Sequence, residues 1–167
     1  MRKNLLFLLM AVFALSFTAC SDDDDDKTLA GQVAGKYTGE IWVEFNGETT
    51  YPNQTVTVTE VSANRINFLL KNFVFEMGGN EIKVGDVEIK DVLVKEVKEK
   101  DEDTGKEYTY IDLSGKGTIN VVIAQGTPAV PLQIELEGGY LDGELYADID
   151  IPLEAMGNVY VEFEGKK

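Results

Sequence analysis

The chain has 167 residues, 30 acidic against 15 basic side chains, no histidine and one cysteine, for a formal charge of −15. Without histidine there is no Ser-His-Asp catalysis, no His metal ligation and no imidazole base near neutral pH. So acidic a surface repels phosphate backbones, and nucleic acid is not an expected partner.

Arg2 and Lys3 open the chain, and Leu5 to Phe17 is mostly apolar but too short to span a bilayer as a stable helix. Phe17-Thr18-Ala19 leads into Cys20, then Ser21 and five aspartates, Asp22 to Asp26. This arrangement resembles the lipobox of a bacterial lipoprotein. The resemblance implies cleavage between Ala19 and Cys20, a diacylglyceryl thioether on Cys20, and a fatty acid such as palmitate on the new α-amino group. Each buried methylene contributes about 0.8 kcal/mol, so two or three chains anchor firmly. The alternative is an ordinary secretory peptide, for which Phe17-Thr18-Ala19 supplies the small residues poorly. Ser21 to Asp26 resembles the acidic sorting signal of surface-exposed Bacteroidetes lipoproteins, and a run of like charges is also a solvated spacer. The expected location is the cell envelope, on the outer membrane and facing outward.

Cleavage leaves 148 residues and, without Arg2 and Lys3, a charge of −17. That is enough for one domain with a core. With Cys20 acylated, no disulfide, thiol nucleophile or thiolate metal site remains. The expected division is a signal peptide over 1–19, a lipidated cysteine and acidic tether over 20–34, and a β-barrel domain over 35–167. Extended, residues 21–34 reach at most roughly 45 Å.

From Gly35 the apolar period is two. Tyr37, Ile41, Val43 and Phe45 share one face, while Thr38, Glu40, Trp42 and Glu44 share the other. Asn46-Gly47 is a hairpin signal. Val56 and Val58 alternate with threonines, and Ile66, Phe68 and Leu70 follow. The phase then changes at Lys71-Asn72 to Phe73, Phe75 and Met77, which predicts a bulge. Gly78-Gly79-Asn80 reads as a turn. Ile82 to Val94 reads as short strand pieces broken near Gly85-Asp86. Lys95 to Lys106 reads as a charged hairpin with its tip at Asp103-Thr104-Gly105. Tyr108 to Leu113 and Gly117 to Ile123 read as two strands, Gln125 to Pro128 as a loop, and Gly138-Gly139 as a turn after Leu132, Ile134 and Leu136. The strand through Leu145, Ala147, Ile149 and Ile151 stops at Pro152. Leu153 to Met156 reads as a single helical turn, and Val159, Val161 and Phe163 form the last strand. Eight to ten short strands predict an all-β antiparallel barrel, with a sandwich as the alternative. Trp42 to Gly47 and Tyr160 to Gly165 share one pattern, as neighbours closing a barrel would.

Gly35-Lys36-Tyr37-Thr38-Gly39, Val56 to Val61 with Ile66 to Phe73, Val84-Gly85-Asp86-Val87 and Val161-Glu162-Phe163-Glu164-Gly165 resemble the calycin-like β-barrel domain of Bacteroidetes lipoproteins. The likeness covers Gly35 to Gly165. It implies an eight-stranded, lipocalin-related barrel with no assigned activity, no catalytic residues to carry over and no cofactor. Tyr37 stands where the lipocalin Gly-x-Trp opening has tryptophan, so no ligand is carried over.

Three aromatics are the candidate ligand-binding residues: Trp42, Tyr146 and Tyr160, all on the charged parity of their strands. They would form an aromatic platform, or simply pair across strands. Tyr37, Phe45, Phe68, Phe73, Phe75 and Phe163 are the expected interior. Asp101, Asp103 and Gly105 match part of a calcium loop that lacks its distal glutamate. Asp148, Asp150 and Glu154 read as a solvated acidic face. The expected function is a non-catalytic, surface-anchored module. It binds a small ligand, a glycan or an envelope protein, and the lipid on Cys20 is its membrane contact. The alternatives are a carboxylate-based, glycan-acting enzyme, which needs two acids about 5–10 Å apart in a cleft, and a lipocalin-like carrier of an apolar molecule.

Overall fold

In a computed structural model of the chain, the structure describes residues 27–45, 47–77, 80–100, 105–122, 128–153 and 157–167. Cys20, Asp101, Asp103, Glu154, the tip at Asn46 and the turn proposed at Leu153 to Met156 fall wholly or partly outside these residues. A short helix, α1 (Leu29–Val33), precedes eight strands: β1 (Gly35–Glu44), β2 (Glu48–Ser62), β3 (Arg65–Met77), β4 (Asn80–Lys100), β5 (Glu107–Val121), β6 (Val130–Leu141), β7 (Glu144–Pro152) and β8 (Asn158–Lys166). They form one closed antiparallel barrel in chain order, so the sandwich is set aside. β1 and β8 close it, with Gly39 opposite Gly165, Ile41 opposite Phe163 and Val43 opposite Val161.

The alternation of apolar residues dictates the wall. Tyr37, Ile41 and Val43 are buried, while Lys36, Thr38 and Glu40 are exposed. Tyr37, Phe68, Phe73 and Phe75 are the largest fully buried side chains, and Phe163 joins them. The Phe73 and Phe75 rings stack at 5.9 Å. Fully burying such a side chain contributes about 1.5–3 kcal/mol. Phe45 is only half-buried, packed against the rim of this core. The β1–β2 ladder ends one residue earlier, at Glu44 opposite Glu48, and Phe45 N–H donates to Gly47 O at 2.9 Å. The hairpin loop therefore has three residues instead of the two that Asn46-Gly47 suggested.

Two segments read as broken are continuous. β4 runs unbroken over 21 residues, and β5 passes through Ser114-Gly115 without a turn. The kinks are bulges whose exposed backbone groups are met by side chains of the adjacent strand. Asn72, at φ +52°, donates its N–H to Asp86 Oδ1 at 3.0 Å. Asp91, at φ +54°, donates to Asn67 Oδ1 at 3.1 Å, and Arg65 Nη1 donates to Asp91 O at 2.7 Å. Asn and Asp tolerate this left-handed region better than other residues bearing a Cβ. The phase change at Lys71-Asn72 is one of these bulges, as the sequence implied.

The β6–β7 turn is also displaced from its predicted place. Gly138 and Gly139 lie inside β6, and the chain reverses at Asp142-Gly143, where both φ values are positive. Gly138 is needed for close approach: a Cβ there would lie 2.3 Å from Tyr146 O.

The fold begins before Gly35. Thr28 caps α1, its Oγ1 accepting from Gly31 N–H at 2.9 Å and donating to Glu60 Oε1 at 2.7 Å. Ala30 and Val33 are fully buried, and Ala30 N–H donates to Ala63 O at 3.1 Å. The helix thus seals the barrel end where β1 starts and β8 finishes. Tyr37 donates its hydroxyl to Val33 O, and Lys167 Nζ donates to Gln32 O. Lys167 Nζ also lies 5.6 Å from the Tyr37 ring centre and 5.1 Å from that of Tyr140.

Candidate functional site

Trp42 and Tyr160 face outward on the two strands that close the barrel, and both are half-buried. Trp42 stands opposite Glu162, and Tyr160 stands opposite Glu44. The two aromatics are therefore diagonal neighbours, about 7–8 Å apart at their Cα atoms and within reach of each other. The structure brings this pair together as the strand parity implied.

Tyr146 does not join them. It stands opposite Glu164, four residues from Tyr160 along β8, or roughly 13 Å at the rise of a strand. It is also buried, with 4 % exposure, although it lies on the outward parity of β7. The cause is its neighbour on β6, Gly139, which has no side chain and leaves room for the ring to lie against the wall. Tyr146 donates its hydroxyl to Glu164 Oε1 at 3.0 Å. Burial, then the adjacent Glu164 carboxylate, holds this phenol well above its ordinary range. Tyr110 behaves likewise on β5: it stands opposite Val97, donates to Glu99 Oε1 at 3.3 Å, and is pushed up to about 12 by burial and then by Glu99. Parity alone could not show that these two outward tyrosines are buried. The signal lies in the glycine that faces Tyr146 across the strands.

Carboxylates surround the Trp42–Tyr160 pair. Across the wall run Trp42, Glu162, Asp148 and Glu137, and beside them Glu44, Tyr160, Asp150 and Glu135. Glu135 is paired with Lys116. Side chains directly opposite each other have Cβ atoms about 4.5–5.5 Å apart, where like charges repel. These acids stand side by side on a convex surface, whereas a glycosidase pair faces across a cleft. Among the described residues no three acidic or sulfur ligands converge to hold a metal.

Among the described residues every buried side chain is aliphatic or aromatic, and the buried Tyr37 hydroxyl is taken up by Val33 O. The outer wall presents aromatic faces for stacking and carboxylates for accepting hydrogen bonds from hydroxyls or pairing with cations.

Comparison with known proteins agrees with this architecture. A family model described as "Calycin-like beta-barrel domain" matches residues 33–166. No curated protein matches the sequence. Among solved structures, the chain is similar to a "putative outer membrane protein" from Bacteroides fragilis NCTC 9343, with 22 % identity and a TM-score of 0.53. The match covers 83 % of this chain and 52 % of that one, so the present chain spans about half the length of its neighbour. At that identity the likeness concerns the fold.

Proposed function

The chain belongs to the calycin-like β-barrel domain family, and on that premise we propose that it is a non-catalytic binding module tethered by lipid to the outer membrane and facing outward. The observation that carries the binding part is the outward Trp42–Tyr160 pair, framed by Glu44, Glu162 and Asp150. An aromatic face beside hydrogen-bond acceptors suits a sugar ring, whose C–H face stacks while its hydroxyls donate. A glycan at the cell surface is accordingly the preferred ligand class.

The tether part rests on the lipobox-like run ending in Cys20, seven residues before the first described residue, Lys27. α1 closes the barrel end from which that segment leads, leaving the opposite rim and the wall for contacts. The name of the Bacteroides fragilis neighbour supports an envelope location.

Fluorescence of Trp42, the sole tryptophan, tests the binding part directly. Titration with envelope and host glycans is expected to shift its emission, and Tyr160→Ala is expected to weaken binding about 5- to 30-fold, the equivalent of roughly 1–2 kcal/mol of lost stacking. No response to any glycan, or one unchanged by Tyr160→Ala, refutes the assignment. For the tether, Cys20→Ser should move the protein from the membrane to the soluble fraction.

A further inference from the structure

Among the described residues, no strand pairs with one edge of the far part of the β4–β5 ribbon. β3 accompanies β4 only as far as Arg65 opposite Leu93, while β5 continues from Leu93 opposite Ser114 to Lys100 opposite Glu107. Val94 N–H donates to Asn64 O at 3.0 Å, the last backbone bond on that side of β4 among the described residues. Beyond it run Lys95, Glu96, Val97, Lys98 and Glu99. The four charged residues are exposed and Val97 is half-buried. Successive residues of a strand direct their N–H and C=O groups to opposite edges. The backbone groups of Glu96 and Lys98 therefore point the same way as those of Val94, toward that edge.

The charges on this edge are antisymmetric about Val97. One step away on either side stand Glu96 and Lys98, and two steps away stand Lys95 and Glu99. A generic strand would meet alternating charges here, which is how natural edges avoid promiscuous pairing. A second copy running antiparallel and centred on Val97 would meet a complement at every position. Glu96 would face Lys98 of the other copy and Lys95 would face Glu99, each twice by the two-fold symmetry. Facing residues share a face of the sheet, since positions 95 and 99 have one parity and 96 and 98 the other. The hydrogen-bonded pairs would be the ones formed by Glu96 and Lys98, whose backbone groups already point outward. Val97 would meet its own copy as a close, non-hydrogen-bonded pair.

We propose that two copies of this chain associate through antiparallel pairing of Lys95–Glu99 edges, with Val97 on the two-fold axis. The proposal is independent of the lipid on Cys20 and of the Trp42–Tyr160 surface. In the non-hydrogen-bonded pair the Cα atoms lie about 4.5 Å apart, within the range a disulfide spans. Val97→Cys in the full chain, in its native membrane, is therefore expected to give an oxidised dimer. The unaltered chain reports any dimer made through Cys20, and Val61→Cys, an exposed position outside the edge, reports random collision. Adding Glu96→Lys or Lys98→Glu alone to Val97→Cys sets like charges opposite each other twice and is expected to reduce the dimer at least about tenfold. Combining the two reversals restores complementarity and should restore the dimer. No excess of dimer over Val61→Cys, a dimer indifferent to single reversals, or failure of the double reversal to recover it would each overturn the proposal.

Discussion

Replacing Gly39 by alanine tests the account of how the barrel closes. A Cβ at this position would lie 1.8 Å from Glu164 O, 2.5 Å from Gly165 Cα and 2.6 Å from Glu164 C. The obstacle is backbone, so no side-chain rotation relieves it. Optimal contacts lie near 3.5 Å, so β8 must withdraw by about 1.7 Å. A hydrogen bond made at about 2.9 Å does not survive such a displacement. The pairs at risk are Gly39–Gly165 and Glu40–Glu164, the closing seam itself. Two or three lost bonds at about 1 kcal/mol each, with overpacking of about 1–3 kcal/mol, give a destabilisation of roughly 3–6 kcal/mol. That is a large fraction of the roughly 5–15 kcal/mol available to a domain. Urea unfolding followed by Trp42 fluorescence measures it, because Trp42 lies on the same strand. Thr38→Ala, an exposed neighbour, is the reference and should cost less than about 0.5 kcal/mol. If Gly39→Ala unfolds within about 0.5 kcal/mol of the unaltered protein, with the same denaturant slope, the seam is not packed as described.

Three further outcomes follow from the same geometry. Phe68→Ala empties a fully buried position and should destabilise by about 3–5 kcal/mol in the same unfolding assay. Tyr37, Tyr110 and Tyr146 are all raised above the ordinary phenol value of 10.0, chiefly by burial. Their stabilising contribution is complete below that value and is lost as pH climbs from it toward the folded-state values. Absorbance titration of tyrosine should therefore show late ionisation coinciding with alkaline unfolding, and early ionisation of all seven tyrosines would contradict the burial. Finally, the facing carboxylates Glu162, Asp148 and Glu137 repel one another. Added salt, which shortens the screening length from about 30 Å at 0.01 M to about 3 Å at 1 M, should raise the melting temperature. A fall would show that this wall is not under electrostatic load.

Strand parity made most of the wall legible. Tyr37, Ile41 and Val43 face inward as their spacing requires, and the matching patterns of β1 and β8 correspond to real pairing. What parity could not supply was the meaning of each glycine. Gly138-Gly139 looks like a turn, yet one residue permits close backbone approach and the other makes room for Tyr146. The turn is Asp142-Gly143, an Asp-Gly signal that was available in the sequence. α1 escaped because five residues are too few to display a helical stripe; its sign was the Thr28 cap. In the sequence β4 looks fragmented because its bulges change the phase of alternation without breaking the ladder. At the candidate site, Trp42 and Tyr160 were placed by parity, whereas the separation of Tyr146 depends on register, which a single strand does not encode.

The most direct examination of the proposed tether is mass spectrometry of the protein extracted from its membrane. The expected mature chain begins at position 20, lacks residues 1–19, and carries a diacylglyceryl group on the Cys20 sulfur. An intact leader, a different first residue or an unmodified thiol at Cys20 would contradict it.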